Sequence, residues 1–97
     1  MTIASGSIWH SFLEQDANPE VLYVKSENEP EGTTRFGALS IPLHNTKSFK
    51  RTIENLDKQK HYYVYSKSGK SGAIACQNME DAGFVETINL NGGIANF

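Results

Sequence analysis

The sequence predicts an α/β fold, a small parallel sheet of about four to five strands covered by helices on both faces. Strand-like and helix-like stretches alternate along the chain, and their connections are short, as in βαβ units. The run Val-Leu-Tyr-Val at 21–24 is apolar without alternation, as a parallel strand buried on both faces requires.

The elements follow in order. "SIWHSFLEQDANPE" sets Ile8, Trp9, Phe12 and Leu13 on one face at helical spacing, with Ser7 as candidate N-cap and Asn18-Pro19 as stop. Trp9 and Phe12 are expected to cover the sheet; an exposed partner contact is the alternative. After the interior strand, "KSENEPEGTTR" with Pro30 and Gly32 is a surface loop. "GALSIPL" is a short strand that Pro42 closes, because proline cannot donate in a central ladder. In "HNTKSFKRTIENLDKQK", Phe49, Ile53 and Leu56 fall at i, i+4 and i+7 behind Asn45 or Thr46 as cap, a helix with one buried stripe. "HYYVYS" is the next strand. A Ser/Gly/Lys loop leads from it into a helix carrying Ala75, Cys76, Met79 and Ala82, ended by Gly83 at C′. "VETINL" is the last strand before Asn-Gly-Gly.

Composition bounds the function. With 97 residues the chain is expected to form one domain, 1–97, with a folded surface of roughly 5,500 Å². Nine Lys/Arg against eleven Asp/Glu leave a net charge of −2, which argues against a duplex nucleic-acid partner. The single cysteine, Cys76, permits neither an internal disulfide nor a multi-thiolate metal site, and fits a reducing compartment. No apolar run approaches ~18 residues and no signal-peptide pattern opens the chain, so the reading is cytoplasmic with no membrane partner. His10, His44 and His61 fall on different elements without ligand spacing, so no metal is expected. Glu27, Glu29 and Glu31 read as solvated loop carboxylates.

The stretch "YVYSKSGKSGAIA" contains Gly69-Lys70-Ser71, but a nucleotide-binding P-loop needs a glycine where Val64 stands, so that reading fails. A tight loop running directly into a helix remains. Inward N–H groups from Ser66, Lys67, Ser68, Gly69, Lys70, Ser71 and Gly72, above the positive end of the helix dipole, would make an anion cradle. Lys67 and Lys70 add charge to it. A plain strand-to-helix connection with two solvated lysines is the competing reading. Cys76, ten residues beyond Ser66, is expected to be a small buried thiol; at about 1.5 Å per helical residue it lies too far along to serve the loop as a nucleophile.

The residues 63–97 resemble the C-terminal half of a rhodanese-like domain, whose pattern is a strand, Cys-Arg-x-Gly-x-Arg-Ser, a helix, Ala-Gly-Phe, a strand and Leu-x-Gly-Gly-Ile. The match runs through Gly69, Ala82-Gly83-Phe84 and Leu90-Asn91-Gly92-Gly93-Ile94, with Phe97 where the family often has tryptophan. "GALSIPL" resembles the family's Gly-Ala-x-x-Ile-Pro-Leu, and "VLYVKS" stands where the family has its Asp-Val-Arg strand. The resemblance implies that the first loop position carries the cysteine of a sulfurtransferase, which takes sulfane sulfur from a donor such as thiosulfate and passes it on from a persulfide.

That position is Ser66. The family's Asp-Val-Arg becomes Tyr23, Val24 and Lys25, its His before Ile-Pro-Gly-Ala is Thr34, and its Arg-Ser is Ser71-Gly72. A single engineered cysteine-to-serine change would leave these other positions intact, so their joint drift favours natural loss. The resemblance therefore implies a silent module that binds a small sulfur-containing or other oxyanion, a protein partner or a fused domain, without a cofactor. The alternative is a sulfurtransferase whose nucleophile was replaced. Related dual-specificity phosphatases resemble the fold with a loop one residue longer and also need the cysteine. Similar domains usually continue beyond the position of Phe97 into a final helix, which suggests a domain cut from a longer protein or a trimmed terminus.

Overall fold

The computed structural model describes residues 1–26, 29, 34–43 and 45–97. Of the residues discussed above, Glu27, Pro30, Glu31, Gly32 and His44 lie outside this set. The elements are β1 (Thr2–Ala4), α1 (Gly6–Gln15), β2 (Pro19–Ser26), β3 (Leu39–Leu43), α2 (Thr46–Ile53), β4 (His61–Tyr65), α3 (Lys70–Asp81), β5 (Glu86–Leu90) and a 3₁₀ turn (Ile94–Asn96). The strands form one five-stranded sheet in the order β1-β5-β4-β2-β3. Every pairing is parallel, with Tyr23 opposite Tyr65 and Val64 opposite Asn89. All strands therefore end at one pole of the domain, and the loop after β4 opens there.

Side-chain alternation divides the core. Leu22, Val24, Tyr62 and Val64 meet Phe49 and Ile53 of α2 and Ala75, Cys76 and Met79 of α3 on one face. Val21, Tyr63, Tyr65, Ile88 and Leu90 meet Trp9 of α1 on the other. The unbroken apolar run of β2 follows from this two-sided burial. Asn45 caps α2, its side chain accepting from the Ser48 N–H at 2.8 Å. Gly83 takes φ +93 after α3, in keeping with a helix-ending glycine.

Several expectations are corrected. In α1 the N-cap is Ser5, not Ser7, and the helix ends at Gln15, three residues before Asn18. Its buried residue is Trp9, whose indole N–H donates to the Ile88 carbonyl at 3.0 Å, with Leu13 partly buried behind it. Ile8 and Phe12 are 50% and 47% exposed. Each precedes an inward-facing residue, Trp9 or the partly buried Leu13, by about 100° of helix rotation, so seating Trp9 against the sheet turns them outward. Leu56 lies beyond the end of α2, in a turn whose N–H donates to the Ile53 carbonyl, and still packs on the core. Pro42 stands inside β3 rather than closing it. The strand lies at the sheet edge, where a missing N–H on the open side costs no ladder bond. The three-residue β1 was not anticipated; so short a run carries no readable period.

A polar clasp ties the end of α1 to the start of β4, at the pole opposite the loop. Asp16 Oδ2 accepts from the Tyr63 hydroxyl at 2.7 Å and lies 2.8 Å from His61 Nδ1, while Oδ1 accepts the Asn18 N–H at 3.0 Å. Burial by itself would raise the Asp16 pKa, but these hydrogen bonds and the nearby His61 outweigh it and hold the carboxyl below its ordinary value. A lowered folded pKa gives stability that is present above the ordinary carboxyl range and is lost as pH falls through the folded value. Asp16→Asn is expected to lower stability at pH 7 by about 1–2 kcal/mol in urea denaturation. The gap between variant and parent should close as the pH is taken below the ordinary carboxyl range; a gap independent of pH would show that the charge is not what stabilises.

Candidate functional site

Ser66 follows the last residue of β4 and is 1% exposed. Its Oγ accepts two backbone hydrogen bonds, from the Gly69 and Gly72 N–H groups, each 3.0 Å long. The loop thus winds around a single oxygen. Lys67, Ser68 and Lys70 are exposed on its outer rim, Ser71 is half-buried, and Gly69 and Gly72 are buried. Lys70 opens α3, so two ammonium groups and the positive end of a helix dipole share one surface.

Backbone packing forces this shape. Gly69 has φ +92, and a Cβ there would lie 3.0 Å from the backbone N of both Gly92 and Gly93. Gly93 has φ +72, and a Cβ there would overlap the Lys67 carbonyl oxygen and come within 2.6 Å of the Gly69 N. The segment after β5 is held by the Ile94 N–H donating to the Ser66 carbonyl at 2.9 Å and the Ala95 N–H to the Lys67 carbonyl at 3.2 Å. The Gly-Gly pair is therefore the wall against which the loop is pressed.

Beneath the loop lies Asn89 of β5, 3% exposed, which sequence reasoning missed. Its Nδ2 donates to the Gly69 carbonyl at 3.4 Å, and its Oδ1 occupies the space a Cβ at Gly72 would need. A polar residue inside a strand expected to be covered on both faces was the available signal.

A second missed group lies beside the loop. The Tyr65 hydroxyl accepts the Arg35 N–H at 2.8 Å and donates to the Arg35 carbonyl at 3.3 Å. This clamp sets Phe36, at φ +60, with its ring 5.5 Å from Trp9 and 5.4 Å from Phe97. The Arg35 guanidinium lies 5.0 Å and 5.1 Å from the Phe36 and Phe97 ring centroids, close enough for cation–π attraction. No residue pattern marks a phenylalanine that takes a positive φ, so only the tertiary contacts disclose it.

The remaining candidates lie apart from the loop. Cys76 is fully buried between α3 and the sheet, and burial pushes its thiol pKa up to about 12. His10 lies 3.2 Å from Glu14, and His61 meets Asp16 at the far pole. Glu29 accepts from the Ser26 hydroxyl at 3.4 Å. Among the described residues no three His, Cys, Asp or Glu side chains gather as metal ligands, and no helix is long and apolar enough to cross a membrane.

Comparison with known proteins gives a consistent picture. The family model for the rhodanese-like domain matches residues 12–97. A rhodanese-like domain protein from Staphylococcus aureus superposes with a TM-score of 0.78 at 18% identity, covering 99% of this chain and 90% of that one. A protein from Staphylococcus saprophyticus also gives 0.78, at 22% identity over 100% of this chain and 93% of that one. The rhodanese-like domain of an Anabaena protein gives 0.71 at 21% identity, covering 99% and 72%. No curated protein matches the sequence significantly.

The glycines offer a direct check of the wall. Gly37 also has positive φ, +66, but a Cβ there would meet nothing within 4 Å. Gly37→Ala is expected to cost about 1–2 kcal/mol, the left-handed penalty alone. Gly93→Ala adds overlap with the loop backbone and should cost at least about 2 kcal/mol more. Equal losses in thermal or urea unfolding would show that the loop gives way freely.

Proposed function

The chain belongs to the rhodanese-like domain family, and we propose that it is a catalytically silent member that binds a small oxyanion at the rim of the Ser66–Gly72 loop. In this reading it is a cytoplasmic recognition or regulatory module, acting on a protein partner or a fused domain. Ser66 carries the proposal. A serine hydroxyl without a general base stays protonated at neutral pH, and no stable oxygen–sulfur counterpart of a persulfide exists to pass sulfur onward. Among the described residues no His or carboxylate is an Oγ partner; the partners are the Gly69 and Gly72 N–H groups. The exposed Lys67 and Lys70 at the start of α3 support oxyanion binding, since a helix N-terminus and ammonium groups both favour negative charge.

One observation favours a second reading, a thiosulfate or persulfide sulfurtransferase whose cysteine has been replaced by serine. Two N–H groups converging on the side-chain atom at position 66 would also stabilise a thiolate. Thiosulfate-dependent persulfide formation by Ser66→Cys separates the two. Robust turnover would sink the silent-module reading; little or none is expected.

Binding has its own test. Titration with thiosulfate, sulfate and phosphate should give saturable amide shifts confined to residues 66–72 in NMR spectra. Lys67→Ala and Lys70→Ala should each weaken binding by about three- to tenfold, up to roughly 1.4 kcal/mol. Absence of shifts at millimolar anion would reduce the loop to a connection.

A further inference from the structure

We propose that Asn89 is a positioning residue whose carboxamide oxygen opposes an anion at position 66. The inference deepens the reading of position 66 as silent and rests on it. The buried Ser66 Oγ receives two N–H donors, so its own proton needs an acceptor, and at 1% exposure bulk water does not supply one. Asn89 Oδ1 is a buried acceptor without a hydrogen-bond partner among the described residues. Both oxygens border the point where a side chain at Gly72 would begin: Ser66 Oγ lies 3.2 Å from that ideal Cβ position, and Asn89 Oδ1 overlaps it.

The carboxamide has one sensible orientation. Its Nδ2 faces the Gly69 carbonyl at 3.4 Å, and turning it over would set two oxygens against each other. The negative end of the amide dipole is thereby committed to the space shared with Ser66. At so buried a position that dipole favours a protonated hydroxyl or thiol over an anion, and it opposes the two N–H groups that would stabilise one. Gly72 is the other half of the device, because only a residue without Cβ leaves room for the carboxamide.

The test replaces the hydroxyl by a titratable probe. In Ser66→Cys, the Cβ chemical shift of the introduced cysteine is followed against pH with no sulfur donor present; buried Cys76 is resolved separately. The expected thiol pKa is at or above the ordinary ~8.5. In Ser66→Cys/Asn89→Leu, which keeps the branching of the side chain and removes the acceptor, it should fall by about one unit, a tenfold larger thiolate fraction. A purely structural role for Asn89 gives the opposite sign, since a loosened loop loses its N–H donors and the thiol pKa rises.

An unchanged or higher pKa in the double variant overturns the proposal. If the double variant does not fold, the single one decides: a Ser66→Cys pKa below about 7 means that the amide donors prevail and Asn89 does not hold the proton. Because the titration contains no donor or anion, its result is independent of sulfur transfer. Turnover by Ser66→Cys tests the silent reading and the pKa change on removing Asn89 tests this inference, so the failure of one is told apart from the failure of the other.

Discussion

Two backbones meet without side chains between them. The turn after β5 lies against the turn after β4 so closely that a Cβ at Gly69 or Gly93 would intrude on the opposing main chain. Hydrogen bonds from Ile94 and Ala95 to the Ser66 and Lys67 carbonyls fasten the contact. The loop's curvature, the burial of Ser66 and the convergence of two N–H groups on its Oγ all depend on that approach. The parallel sheet contributes by bringing the carboxyl ends of β4 and β5, neighbours in the strand order, to the same pole.

The two faces of the sheet serve the loop differently. On one, α3 packs through Ala75, Cys76 and Met79, so the helix whose first turn closes the loop is anchored along its length. On the other, Trp9 binds α1 to β5 through the Ile88 carbonyl, and its ring supports Phe36 and Tyr65. Tyr65 then holds the Arg35 backbone from the strand that delivers Ser66. One β4 residue thus links the segment before β3 to the strand end from which the loop starts.

Periodicity and punctuation made most of this architecture legible. The apolar run of β2, the i, i+4 pair Phe49 and Ile53, the cap at Asn45 and the stop at Gly83 are local signals, and each marks an element that is present. What escaped depends on neighbours distant in sequence. Whether Pro42 ends a strand or sits within one turns on whether that strand lies at an edge, and strand order is not a local property. Ile8 and Trp9 are both large and apolar; the Ile88 carbonyl, 79 positions after the indole that it binds, helps decide which of them faces inward. At the candidate site, the loop residues could be read from the glycines and lysines. Arg35 could not, and Asn89 offered only its polarity within a covered strand, because their contacts cross from other elements.

Cys76 has a consequence for the domain's behaviour toward oxidants. It is the only thiol in the sequence, it is fully buried, and that burial pushes its pKa well above the ordinary thiol value, so the thiol form dominates at neutral pH. Sulfenic acid formation and mixed-disulfide exchange both begin from an accessible thiolate. The folded domain offers peroxide or glutathione disulfide no such starting point. It can therefore pass through swings in cellular redox poise without gaining a covalent adduct or a cross-linked dimer through cysteine.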